Sequence, residues 1–175
     1  EGVGSLNPIK KYDLLIEAFA GVHKFNKDSV LLLAGEGKEK ENLQRVANKM
    51  GVTDSVKFLG NIADVTKLYC AADVLAVTSD TESSSLVAIE AQVCGTRCVL
   101  SAGVPVESIL LKNTQRLSKD ASVNDWRDAL MNDSYEGTPV ARIEDYEVHN
   151  MSKKMKEIYL KYYSDYMEKK HADTK

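Results

Sequence analysis

Two kinds of apolar segment take turns along this chain, and few folds admit that pattern. Residues 13–22 repeat their apolar side chains at helical spacing, and the next segment, Ser29-Val30-Leu31-Leu32-Leu33-Ala34, runs apolar without alternation until Gly35. The cycle then repeats. Residues 38–50 are charged and helical, Val56-Lys57-Phe58-Leu59 is a short strand ended by Gly60, and residues 65–72 return to helical spacing. A strand over 74–77, a helix over 85–94 and a strand over 97–100 follow, with a further short strand near Arg116-Leu117 and a helix over 123–131. Strands that are apolar on both faces need cover on both faces. Right-handed crossovers supply it by laying helices on each side of a parallel sheet, so the expected class is α/β, a doubly wound parallel sheet of about five or six strands.

The length of 175 residues, with 43% apolar and 28% charged residues, suits one compact domain with a full core. The text opens on Glu1 and runs directly into Gly2-Val3-Gly4-Ser5-Leu6, which reads as the end of a strand; the expectation is an excerpt of something longer. A formal charge of −3 with a pI near 5.7 gives no basic footprint for nucleic acid. No apolar run approaches the roughly 20 residues that cross a bilayer. Three cysteines, Cys70, Cys94 and Cys98, form no paired framework, and they fit a reducing, cytoplasmic setting. Cys94-Gly-Thr-Arg-Cys98 has no second pair, and His23, His149 and His171 are scattered, so no metal site is expected.

In an open parallel sheet, ligands bind beyond the carboxyl ends of the strands. The turns to search are therefore Gly4-Ser5, Gly35-Glu36-Gly37, Gly60-Asn61, residues 79–85 and Ser101-Ala102-Gly103. Glycine lets backbone approach a ligand closely. Ser83-Ser84-Ser85 stands at the start of a helix, where unpaired amides suit an anion and where serine also serves as a plain cap. Glu82 and Glu90 flank these serines with seven residues between them. Glu90 sits among Leu86, Val87, Ala88, Ile89, Ala91 and Val93, and a carboxylate in such company either faces solvent or has a partner. There is no third glycine for a dinucleotide fingerprint, no Gly-Lys-Ser/Thr phosphate loop and no Asp-x-Asp pair.

Val3-Gly4-Ser5-Leu6, Lys10 to Phe19, Leu33-Ala34-Gly35-Glu36-Gly37, Val56 to Gly60, Ala72-Asp73-Val74 and Ser79 to Gly95 together resemble the donor half of family 4 glycosyltransferases. Ile89-Glu90-Ala91-Gln92 and Val104-Pro105 resemble the capsular and exopolysaccharide branch of bacteria. The resemblance implies a GT-B enzyme whose Rossmann-like C-terminal half is represented by residues 1–148. An amphipathic helix within 149–175 would reach toward an N-terminal acceptor domain. It implies a hexosyltransferase that moves a sugar with retention from a nucleotide-sugar, by family habit a UDP-sugar, to a growing surface polysaccharide or lipid-linked saccharide. No cofactor or metal is implied, and the setting is the cytoplasm at the inner face of the membrane. The excerpt alone would transfer no sugar.

The roles carried over are specific. Glu82 would hold a hydroxyl of the donor sugar and Lys10 the diphosphate, as the catalytic pair. Glu90 would accept from the ribose hydroxyls. Ser83, Ser84, Ser85, Leu86 and Val87 would present amides to diphosphate or sugar, and Gly4, Ser5, Gly35, Gly37, Gly60 and Asn61 would line the donor cleft. Two departures stand out: Ser5 occupies the position of the family's diphosphate arginine, and Glu82-Ser83-Ser84-Ser85 replaces the family's Glu-Gly-x-Pro. They favour a second reading, a catalytically degenerate module that binds nucleotide-sugar or a partner protein. A generic dinucleotide-binding dehydrogenase, the third, leaves Glu82 and Glu90 without a role.

Overall fold

The computed structural model describes residues 1–132, which lie in one compact unit, and Lys156, which is helical, exposed and belongs to a second. The expected amphipathic helix within 149–175 and the domain boundary after residue 148 lie outside the described residues, Lys156 apart.

The chain order is β1 (Gly2–Val3), α1 (Tyr12–Phe25), β2 (Leu31–Ala34), α2 (Lys40–Lys49), β3 (Val56–Gly60), α3 (Thr66–Ala71), β4 (Val74–Val77), α4 (Leu86–Val93), β5 (Arg97–Ser101), β6 (Gln115–Leu117) and α5 (Val123–Met131). All strand pairs named are parallel, in the orders β1-β2-β3 and β4-β5-β6. Glu1 joins the halves through two backbone bonds. The Glu1 nitrogen donates to Val74 O at 2.7 Å and Ala76 N donates to Glu1 O at 2.8 Å, which lays the first strand beside β4. The order across the molecule is thus β3-β2-β1-β4-β5-β6, and the chain reverses direction across the sheet between β1 and β4. Such a reversal leaves a crevice at the carboxyl edge that no crossover covers.

The unpatterned strands are explained by where their side chains go. Leu75 and Val77 of β4, with Cys98 and Leu100 of β5, pack against Tyr69 of α3 and Ala88 and Ala91 of α4. Ala76 and Val99, the residues between them, face the opposite cluster of Leu15, Ile16, Leu43, Ala47, Trp126 and Ala129 from α1, α2 and α5. Each fully buried leucine contributes on the order of 2 kcal/mol of apolar transfer, so both faces of the sheet are strongly committed. Arg97 opens the buried β5 because its guanidinium donates to Ala129 O and Leu130 O at 2.9 and 2.8 Å, among the last carbonyls of α5. Burial pushes the Cys98 thiol up to about 12, so it behaves as a small hydrophobe; Cys70 by contrast is exposed.

The differences from the expected elements are local. β2 starts at Leu31 rather than residue 29, because Ser29 is held in a turn by bonds from its N and Oγ to Asn26 O. Periodicity did not signal the 3-10 turns Pro8–Lys10, Thr53–Ser55 and Val106–Ser108, which are too short to show it. Ser122 begins α5 with a reciprocal capping box: its Oγ accepts from Asp125 N, and Asp125 accepts from the Ser122 amide at 2.7 Å. The Ser122 hydroxyl, donating to Asp125 Oδ2 at 2.8 Å, and then the Ser122 amide hold the Asp125 carboxyl below its ordinary value of 3.8. A depressed carboxyl stabilises the fold above its unfolded value and ceases to do so as pH falls through its folded value. Asp125→Asn is therefore expected to lower the melting temperature slightly near neutrality and to converge with the parent chain below that range, as thermal melts from pH 7 to pH 3 would show.

Candidate functional site

The crevice between β1 and β4 is stitched across by the turn that follows β1. Pro8 starts this turn with the φ it requires, and Lys11 ends it in the left-handed region at φ 51 before α1 begins. Thr78 Oγ1 donates to Lys10 O at 2.6 Å and Asp80 N to Ile9 O at 2.8 Å, so the end of β4 is fastened to the turn by its backbone. This brings Lys10 and Glu82 together. Lys10 Nζ meets Glu82 Oε1 at 2.6 Å, with side chains only 20% and 14% exposed. Ser79 Oγ donates to the same oxygen at 2.7 Å, and Glu82 N donates to Gly103 O at 3.0 Å. The Tyr12 phenol lies close enough that burial first, and the Glu82 charge second, push its pKa up.

A charged pair so shielded from water is held by geometry rather than by net Coulomb gain. Chemically it supplies a cation that an entering dianion can draw away and a carboxylate that is then open to a hydroxyl. Gly4 lies beside it: a Cβ built there would be 3.5 Å from Lys10 Cε and 3.2 Å from Tyr12 Oη, and its φ is 141. A side chain at Gly4 would crowd the stem of Lys10.

The turns after β1, β2 and β3 converge on a hollow of about 250 Å³. Gly4, Ser5, Gly35 and Asn61 of the expected site line it, together with Glu36, Ile62 and Val65. Ser5 is exposed and its Oγ accepts from Asn7 Nδ2 at 2.8 Å. Gly60 closes the edge, with φ 68 and its carbonyl accepting from Gly35 N at 2.7 Å. Gly35 and Gly37 are glycine for a reason the sequence did not disclose. A Cβ at Gly35 would overlap the Gly4 carbonyl, and one at Gly37 the Leu6 carbonyl, so chain-on-chain contact alone accounts for both.

Glu90 answers its own puzzle in both ways. The residue is exposed on α4, and its Oε2 accepts from the hydroxyl of Tyr69 on α3 at 3.0 Å. Its partner is thus distinct from those of Glu82, which are Lys10, Ser79 and Gly103. The three serines do not cap α4. Ser83 and Ser84 are exposed; Ser85, at the N-cap, makes no capping bond, is 1% exposed and has an Oγ with no partner among the described residues. Its amide instead donates to Ser108 Oγ at 3.4 Å, and its backbone ψ of 81 departs from an ordinary cap. Leu86 is exposed and Val87 partly so at the start of the helix.

Several contributors gave no local signal. Ser79 and Tyr69 look like a strand end and a core aromatic until their hydroxyls are seen on the two glutamates. A second hollow of about 330 Å³ opens on the α1 and α5 side of the same strand ends, between Lys11, Asp80, Gly103 and Trp126. Two of the strand-end turns, residues 79–85 and Ser101-Ala102-Gly103, contribute Ser79, Asp80, Ser101, Ala102 and Gly103 to it, and a Cβ on Gly103 would overlap the Asp80 carbonyl. Among the described residues no group of three metal-ligating side chains occurs and no helix is long and apolar enough to cross a membrane.

Comparison with known proteins places this geometry in context. The family model described as glycosyl transferases group 1 matches residues 2–132. Among curated relatives, the D-inositol 3-phosphate glycosyltransferase of Segniliparus rotundus is 40% identical over 112 residues, 59% of this chain and 25% of the relative. That of Mycobacteroides abscessus is 37% identical over 136 residues, 73% of this chain and 30% of the relative. The chain thus spans about a quarter to a third of the length of these relatives. Among solved structures, Anabaena HepE in complex with UDP aligns with a TM-score of 0.63 and 25% identity, covering 73% of this chain and 37% of that one. The C-terminal domain of the group 1 glycosyl transferase LpcC from Francisella tularensis aligns at 0.64 and 24% identity, covering 74% and 71%.

Proposed function

The chain belongs to the group 1 glycosyl transferases, and on that premise we propose that its described unit is the donor-binding half of a retaining hexosyltransferase that takes a UDP-sugar. The observation that carries the reading is the Lys10–Glu82 pair at the β1/β4 crevice, beside a hollow formed by three strand-end turns. In this reading the uracil and ribose enter over the hollow, with Glu90 accepting from the ribose hydroxyls. Lys10 leaves Glu82 for the diphosphate, and Glu82 then accepts from a hydroxyl of the sugar. HepE, alike in fold and 25% identical, holds UDP and in another structure UDP-glucose, which supports the choice of donor.

The acceptor is a polyol hydroxyl. The family resemblance favours a growing surface polysaccharide or a lipid-linked saccharide, and the names of the curated relatives favour D-inositol 3-phosphate; a panel of both acceptor types with a full-length enzyme decides between them. Because both reactants must be held in line for transfer, the 175-residue chain by itself is expected to bind donor without transferring it. The reading sets the enzyme in the cytoplasm, acting where its acceptor meets the membrane.

The second reading, binding without transfer in any context, is favoured by Ser5 and Ser83-Ser84-Ser85, which replace a cation and a stiff, open turn. Calorimetry tests the shared core of both. UDP should bind and NAD should not. Lys10→Met should weaken UDP about tenfold, the lower end for a charge-assisted bond, because Lys10 must first part from Glu82. UDP affinity unchanged in a folded Lys10→Met chain would move the diphosphate elsewhere.

A further inference from the structure

Tyr69 does something for which an ordinary core aromatic has no need. It is 1% exposed and packs with Leu75, Val77, Ala88 and Ala91, so a phenylalanine would fill the same space. Its backbone is anchored independently: Thr96 Oγ1 donates to its carbonyl at 2.7 Å. Yet the ring carries a hydroxyl, and that hydroxyl reaches 3.0 Å from Oε2 of Glu90, an exposed residue on the neighbouring helix. A buried, two-torsion side chain therefore pins one oxygen of a flexible three-torsion side chain at the surface. Burial, reinforced by the bond to Glu90, pushes the phenol's pKa up, so the hydroxyl remains a donor across the working pH range.

We propose that Tyr69 is a positioning residue: by holding Glu90 Oε2 it presents Oε1 to the vicinal hydroxyls of the ligand's ribose. The inference rests on the donor-site reading above and deepens it. An exposed glutamate samples several rotamers, and a ligand that needs one of them is bound more weakly by the fraction of time the others are occupied. The bond from Tyr69 removes that loss before the ligand arrives. Nothing in the packing requires it, since the aliphatic side chains around the ring are indifferent to the oxygen.

The test is calorimetry of the 175-residue chain with two probes, UDP and 2′,3′-dideoxy-UDP, which lacks both ribose hydroxyls. The parent chain should prefer UDP. Tyr69→Phe should weaken UDP roughly 2- to 12-fold, the range for one hydrogen bond, and leave dideoxy-UDP unchanged. In a Glu90→Ala background Tyr69→Phe should have no effect on UDP. Equal losses for both probes would make Tyr69 merely structural, and no loss for UDP would overturn the inference outright. A parent chain that binds both probes equally removes the ribose role of Glu90 and the inference with it; a parent chain that binds neither removes the donor-site reading itself. One further measurement needs no variant. UDP, but not dideoxy-UDP, should shift the Tyr69 ring resonances in NMR spectra of the parent chain, and identical shifts from both would contradict the coupling.

Discussion

Replacing Gln92 with leucine is expected to lower the melting temperature of this chain by about 8–16 °C. Gln92 lies on α4 two residues beyond Glu90, on the inward side, and is 1% exposed. Its amide nitrogen donates to Ala88 O and Ser108 O at 2.7 and 2.8 Å. Its Oε1 accepts from Leu110 N at 2.7 Å, Leu111 N at 3.0 Å and Thr114 Oγ1 at 2.8 Å. One side chain thereby fixes α4 to the connection between β5 and β6. Leucine matches the volume and keeps the helix, so the change isolates the polar loss. Two amides, on the buried residues Leu110 and Leu111, would be left without an acceptor. At about 1–3 kcal/mol for each orphaned donor, the total is near 4 kcal/mol, and a domain of this size loses roughly 2–4 °C per kcal/mol. Val93→Ala, at the exposed neighbour, serves as the control and should change stability by less than about 0.5 kcal/mol. A Gln92→Leu chain that melts with the parent would mean that the connection re-pairs its amides on its own.

Ser5→Arg should tighten UDP binding by roughly 10- to 150-fold, the equivalent of about 1.5–3 kcal/mol. Ser5 lines the hollow formed by the strand-end turns and is exposed, so an arginine there costs no burial. The present hydroxyl accepts from Asn7 and offers a diphosphate no charge. Lys10, a few residues on, spends its own charge on Glu82 in the unliganded chain. A planar guanidinium would meet the diphosphate bidentately without first breaking an ion pair. Uridine should gain far less than UDP, and the gain for UDP should shrink as salt screens the exposed attraction. Equal UDP affinities for parent and folded variant, at low and high salt, would take the diphosphate away from this turn.

Much of the architecture is legible in the sequence. Strand positions at β4 and β5 appear as unbroken apolar runs because Leu75 and Val77 are covered by one layer of helices and Ala76 by the other. That pattern is a local consequence of burial on two sides, so it survives in the text of the chain. The helix expected over 123–131 is local in the same way, and α5 spans Val123–Met131. Motif order carried the family, and the group 1 model confirmed it over residues 2–132. The narrower polysaccharide branch drew on a few residues, Ile89 to Gln92 and Val104-Pro105, of which Gln92 is accounted for by packing alone.

The sequence by itself determined which segments are strands and helices, and that the sheet is parallel and covered twice. The segments follow from spacing within a dozen residues, and the sheet from their alternation along the chain. Tertiary structure decided who meets whom. Lys10 and Glu82 are 72 residues apart in the chain, Tyr69 and Glu90 are 21, and Gln92 and Leu110 are 18. No periodicity encodes those meetings, because a side chain's partner depends on strand order and helix placement together. The same geometry adds close backbone contacts at Gly35 and Gly37 that no local pattern shows, and it left Ser85 buried at a helix start that its hydroxyl does not cap.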